Sequence, residues 1–251
     1  MQRTDDWFRQ RRGKLTASQL GQCLGLTPWG SPKALAKQLY ADLTEDSSDS
    51  DKMLDDDATA DSPATKRARE SDLAKKQKKN PALEWGTVME PSALMEYTAL
   101  TGDTIEAVGF MEHACLDWFG GSPDGLLPLD LESGTRGIVE AKCPFSKRLY
   151  ADVPLYYIPQ MNALCELTGA QWCDLICWTP EASRIWRVQA DKQLFDTLMT
   201  HYQNFYGLAS TGRTPVNPGK HLTPMLEAWR AAHVTEYTPE CTYAFMPNLF
   251  V

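Results

Sequence analysis

The stretch Gly137-Ile-Val-Glu-Ala-Lys-Cys-Pro144 reads as a short apolar strand with two charges set into it. Side chains alternate along a strand, so Val139, Ala141 and Cys143 face one way while Ile138, Glu140 and Lys142 face the other. A strand of this composition belongs inside a sheet, where a lone charge costs on the order of several kcal/mol unless it is paired or holds a metal. A Glu140–Lys142 pair would relieve part of that cost. A cation and a phosphate would relieve more of it, and they would need further acidic partners.

Two more positions break their local patterns. Glu90 lies at helical spacings of three, four and seven from Ala93, Leu94 and Tyr97, which points its carboxylate inward. By itself an inward glutamate near a helix start is often a cap or half of an ion pair. Asp124 sits in Ser-Pro-Asp-Gly, a sequence that makes a good β-turn without any further role. Taken together, an acidic helix residue, an aspartate, fifteen residues and then Glu-x-Lys form a set suited to phosphodiester hydrolysis. Asp124, Glu140 and the Ala141 carbonyl offer hard oxygen ligands for Mg²⁺ or Mn²⁺ with room left for water. Such a cation lowers the pKa of water and offsets charge on the phosphate. Lys142 could orient the nucleophile or stabilise the transition state.

With 251 residues, 43% of them hydrophobic, the chain can bury the core of one good-sized domain. No apolar run approaches the roughly 20 residues of a membrane-spanning helix, and the first residues are too charged for a secretion signal, so a soluble intracellular protein is the default expectation. Seven cysteines without paired zinc-type spacing imply reduced thiols. A net charge of −8 argues against a general polyanion-coating surface. It is compatible with an acidic metal site that acts on a nucleic acid.

Residues 41–80 lack aromatic side chains and nearly all large aliphatic ones, which predicts an insertion too polar to order itself. Its first part, 41–62, sets nine acidic residues against one lysine, and 66–79 sets seven basic residues against Glu70 and Asp72. The basic cluster, following Ser62-Pro63, suggests nuclear localisation, with cytoplasmic residence otherwise. Deleting 63–79 from a fluorescent fusion should abolish nuclear accumulation, and unchanged accumulation would remove the idea.

The rest of the chain predicts short helices over "TASQLGQCLGL" and "SPKALAKQLY" and a longer one over "PALEWGTVMEPSALMEYTALTG", interrupted or begun near Pro91. Strands are expected in "DTIEAVGFMEH", in "CLDWFGGSPDGLLPL", at 137–144, at 171–178 and at 183–189, with helices at 153–168 and 191–208. The last forty residues read as mostly irregular apart from "PMLEAWRAAH". The order implies an α/β fold with a central mixed sheet flanked by helices. The implied organisation is N-terminal helices at 1–40, the insertion at 41–80, a nuclease core at 81–210 and an extension at 211–251.

Five blocks, "WFRQRRGKLTAS", "LEWGTVMEPSALMEYTALTG", "FGGSPDGLL", "GIVEAKCP" and "YYIPQMNALCELTG", resemble the phage lambda exonuclease and YqaJ-type viral recombinase family of PD-(D/E)xK nucleases. The resemblance implies a restriction-endonuclease-like core. Asp124 and Glu140 would ligate metal, Lys142 would be the catalytic lysine, Glu90 would reach a metal or its water, and Gln160 would line the site. Arg11, next to Arg12, would join Ser18 and Ser122 in gripping a 5′-terminal phosphate. The activity implied is Mg²⁺-dependent 5′→3′ digestion of one strand from double-stranded DNA ends, by a homotrimer that works with a single-strand annealing protein. A structure-specific or nicking endonuclease, or a catalytically silent DNA-binding scaffold, are the alternatives on the same fold.

Overall fold

The computed structural model describes residues 4–50 and 80–239. The N-terminal part contains α1 (Asp5–Arg11), β1 (Leu15–Thr16), a 3-10 turn (Ala17–Gln19), α2 (Leu20–Cys23) and α3 (Pro32–Ser50). After the undescribed stretch come α4 (Pro81–Thr101), β2 (Met111–His113), β3 (Leu116–Gly121), β4 (Gly125–Leu126) and β5 (Gly137–Lys142). A 3-10 turn (Leu155–Tyr157), α5 (Ile158–Thr168), β6 (Trp172–Trp178), β7 (Ser183–Gln189), α6 (Lys192–Ala209), α7 (Gly219–His233) and β8 (Val234–Glu236) complete the fold.

Five strands form the central sheet in the order β4-β5-β6-β7-β8. Only β5 and β6 run parallel, with Glu140 opposite Leu175, so α5 serves as the crossover between them. Both faces are covered. Ile138, Cys173, Leu175 and Cys177 join the larger core with α2, α3, α5, α6 and α7, while Val139, Ala141 and Ile176 pack beneath Ala93 and Tyr97 of α4. That explains why β5 reads as a continuous apolar run rather than an alternating one. A second sheet, β1-β3-β2, brings the N-terminus alongside the core, with β1 parallel to β3 and Thr16 opposite Gly120. Gly121 is needed here, because a Cβ on it would stand 2.9 Å from Ala17 and from Leu164.

Several boundaries differ from the sequence-based expectation. Helix α4 runs unbroken from Pro81, capped by the Asn80 side chain accepting from the Ala82 amide at 3.0 Å, and ends at left-handed Gly102. Pro91 removes one hydrogen bond, and burial of Ala93 and Tyr97 holds the helix together across the gap. Helix α3 continues ten residues into the stretch expected to be an insertion. Leu43 packs against the core there, extending the face set by Leu35, Ala36 and Leu39. Residues 51–79 of the expected insertion, including the basic cluster, lie outside the described residues.

The C-terminal part is also more ordered than expected. Helix α7 starts at Gly219, buries Leu222, Leu226 and Trp229 on one face, and leads into an edge strand, β8. Pro224 costs a single hydrogen bond near the helix start, while the Trp229 indole donates to Asp191 at 2.7 Å and Arg230 donates to the Val153 carbonyl at 2.9 Å. Helix α1 was not anticipated. The six cysteines among the described residues are thiols, four of them buried. No helix among the described residues is long and apolar enough to cross a membrane.

Candidate active site

The charges of β5 reach a cleft at the strand's C-terminal end. Glu140 is buried, and its Oε1 accepts from the Lys142 ammonium at 2.6 Å and from the Gln160 side-chain amide. Gln160 comes from the first turn of α5, so the crossover helix delivers it to the end of the strand it follows. Lys142 stands 4.8 Å from the centroid of the Tyr157 ring, and Tyr157 shares a 3.3 Å hydroxyl contact with Tyr150. The Lys142 side chain is 18% exposed.

Asp124 arrives from the neighbouring strand. Gly125 pairs with Val139 in the antiparallel β4–β5 ladder, which sets Asp124 level with Glu140. Its Oδ2 accepts from the Ala141 amide at 2.8 Å, occupying the place where a ladder bond would continue. Burial raises its pKa well above the usual carboxylate range, the negative charges of Glu140 and Glu90 raise it further, and Lys142 and the Ala141 amide oppose them. Burial pulls the Lys142 ammonium down, but Glu140, Tyr157 and Asp124 together hold its pKa above the ordinary lysine value.

A second cluster forms where the small sheet meets α1. Because β1 pairs with β3, the chain just past each strand end brings Ser18 and Ser122 to the same cleft. The Arg11 guanidinium donates to both Thr16 Oγ1 and Ser18 Oγ at 3.3 Å. It lies 4.1 Å over the Trp7 ring, whose indole N–H donates to Ser122 Oγ at 2.9 Å. Burial lowers the Arg11 pKa to about 10, against the raising effect of Glu140. Arg12 points elsewhere, to Glu45 at 3.4 Å.

Both clusters line one cavity of about 740 Å³, together with Glu90, Ala141, Tyr150 and Tyr157. Every sequence-predicted site residue (Arg11, Ser18, Glu90, Ser122, Asp124, Glu140, Ala141, Lys142 and Gln160) lies on its wall. The sequence reading passed over Trp7 and Thr16. Trp7 had a legible signal, since it precedes Arg11 by four residues in α1 and so shares its face.

The donor set fits a divalent cation. Glu140 Oε2 is buried without a hydrogen-bond partner, and the oxygens of Asp124 and the Ala141 carbonyl are the hard ligands that Mg²⁺ or Mn²⁺ takes. Glu90 lines the same cleft from α4, and its negative charge is felt at Asp124.

Comparison with known proteins places the chain in a family and a fold. The family of the YqaJ-like viral recombinase domain matches residues 6–171. Protein D345L of African swine fever virus is 27% identical over 191 residues in the Badajoz strain and 25% in a tick isolate from Malawi. Each match covers 64% of this chain and 45% of the relative, so the chain spans under half the length of these curated relatives. The crystal structure of an alkaline exonuclease from Laribacter hongkongensis superposes with a TM-score of 0.58 at 23% identity, covering 90% of this chain and 99% of that one. Its complex with dAMP gives 0.59 at the same identity and coverage. The chain thus shares the overall fold of that alkaline exonuclease.

Proposed function

The chain belongs to the YqaJ-like viral recombinase domain family, and from that premise we propose that it is a metal-dependent 5′→3′ exonuclease degrading one strand of duplex DNA from an end. The carrying observation is that a hydrolytic set (Asp124, Glu140, Lys142, Gln160) and an anion grip (Arg11, Ser18, Ser122) share one cleft. A cleft with only the first would suit any phosphodiester. Adding a cationic, hydroxyl-rich pocket beside it supports recognition of a terminal phosphate.

Asp124, Glu140 and the Ala141 carbonyl would hold Mg²⁺, with Mn²⁺ as a substitute and Glu90 acting through water. When bound, the cation supplies a water of lowered pKa and offsets charge that develops on the phosphate. The protein's own groups do the rest. Gln160 and Lys142 fix the Glu140 carboxylate, leaving its second oxygen turned inward for the cation. The Lys142 ammonium, backed by Tyr157, is placed to donate to the scissile phosphate as its charge grows. Arg11, stacked on Trp7, holds a 5′-phosphate by charge-assisted hydrogen bonds alongside Ser18 and Ser122.

The test compares linear duplexes ending in 5′-phosphate or 5′-hydroxyl with closed circles. Open ends should release nucleotides, fastest with 5′-phosphate, and a chelator should stop the release. Arg11→Ala should cost about tenfold on phosphorylated ends, the loss of one hydrogen bond to a charged group, and little on hydroxyl ends. Equal cleavage of closed circles would assign an endonuclease instead. Binding to ends without any nucleotide release would assign a silent scaffold.

A further inference from the structure

Trp29 is a large aromatic side chain left 64% exposed on the wall of the cleft. A single exposed apolar residue is ordinary on a protein surface, but two observations set this one apart. The first is that its loop is firmly tied. The Leu26 backbone amide donates to the Gly21 carbonyl at 2.9 Å, Thr27 Oγ1 to the Gly30 carbonyl at 3.0 Å, and the Gln22 side-chain Nε2 to the Ser31 carbonyl at 3.1 Å. The second is that its ring is braced edge-on by Tyr156, with centroids 4.8 Å apart and planes at 77°.

Tyr156 is itself closely packed. Its backbone carbonyl presses against α2 at Gly21, where a Cβ would stand 2.3 Å from the oxygen. Its ring meets Tyr157 edge-on at 4.5 Å, and Tyr157 is the ring beneath Lys142. A chain of braced rings thus runs from Lys142 to Trp29 at the cleft wall. The polar groups in the cleft suit phosphates, whereas an exposed, rigid indole suits the flat apolar face of a base.

We propose that Trp29 is a base-stacking platform, taking the face of one of the first two nucleobases on the strand whose 5′-phosphate is held by Arg11 and Ser18. The proposal rests on the exonuclease reading for its choice of ligand. Stacking on an aromatic ring is tolerant of sequence, so Trp29 would add affinity for DNA ends without adding base preference.

The test is equilibrium binding of 5′-phosphorylated duplex ends, followed by fluorescence anisotropy in chelator so that no turnover is needed. Trp29→Ala should raise Kd about tenfold, and Trp29→Phe should restore most of the affinity. Duplexes with abasic residues at the first two 5′ positions should bind wild type and Trp29→Ala alike. An unchanged Kd in Trp29→Ala, or an equal loss on abasic ends, would overturn the proposal. Failure of the exonuclease reading shows separately, as wild-type protein that releases no nucleotide from any end with Mg²⁺ while this binding comparison still gives its answer.

Discussion

Lys142→Ala should reduce nucleotide release from 5′-phosphorylated duplex by at least about a hundredfold, the loss typical of one donor aimed at transition-state charge. The fold should survive. Lys142 is the last residue of β5, its side chain lines the cleft rather than the core, and Val139 and Ile138 behind it continue to hold the strand. Gln160 would remain as a partner for Glu140 Oε1. Lys142→Arg should not rescue the rate, because a planar guanidinium cannot reproduce a compact ammonium held over one ring and against one carboxylate oxygen. Acid-soluble nucleotide release under saturating DNA, with circular dichroism to confirm folding, reads both effects. A folded Lys142→Ala protein working within tenfold of wild type would take Lys142 out of the chemistry.

Much of the site was legible because its charges sit where charges are costly. The pair Glu140 and Lys142 in an apolar strand, and Glu90 on the buried side of α4, are anomalies that the sequence displays without any coordinates. Asp124 was harder to read, since Ser-Pro-Asp-Gly is a sufficient turn signal. Its register opposite Glu140 comes from the β4–β5 pairing, a long-range event that a local pattern does not encode. Likewise, the convergence of Ser18 and Ser122 depends on β1 lying beside β3. The boundaries that shifted did so for tertiary reasons. Packing of Ala93 and Tyr97 carries α4 through Pro91, and contacts made by Trp229 and Arg230 order the C-terminal helix.

The same logic of misplaced charge, applied without the cleft, would also have marked a false site. Asp174 in the middle of β6 is fully buried, and Arg187 from β7 meets it with two hydrogen bonds of 2.9 and 2.8 Å. Tyr97 of α4 donates to the same carboxylate at 2.7 Å. None of the three lines the cleft that holds Glu140 and Lys142. The cluster ties α4 to the sheet, with Arg187 also lying over the rings of Trp172 at 4.8 Å and Tyr237 at 4.3 Å. Burial of a charge therefore identifies a constraint, and only access to a shared cavity separates chemistry from architecture.

That distinction yields the largest expected effect on stability. Asp174→Ala should cost about 3–5 kcal/mol, since it strands a half-buried guanidinium and a buried phenol rather than merely deleting a contact. Against a typical total of roughly 5–15 kcal/mol, such a loss leaves a marginal protein. Urea denaturation should show the midpoint falling with an unchanged slope. Replacing all three members by apolar side chains (Tyr97→Phe, Asp174→Leu, Arg187→Met) should recover most of the loss, because an apolar cluster of similar volume avoids the desolvation that the ion pair only partly offsets. Nuclease rate per folded molecule should be unchanged in both variants. A low rate in fully folded Asp174→Ala protein would mean that the charge acts on the cleft from across the sheet, and a midpoint close to wild type would mean that Arg187 finds a substitute partner.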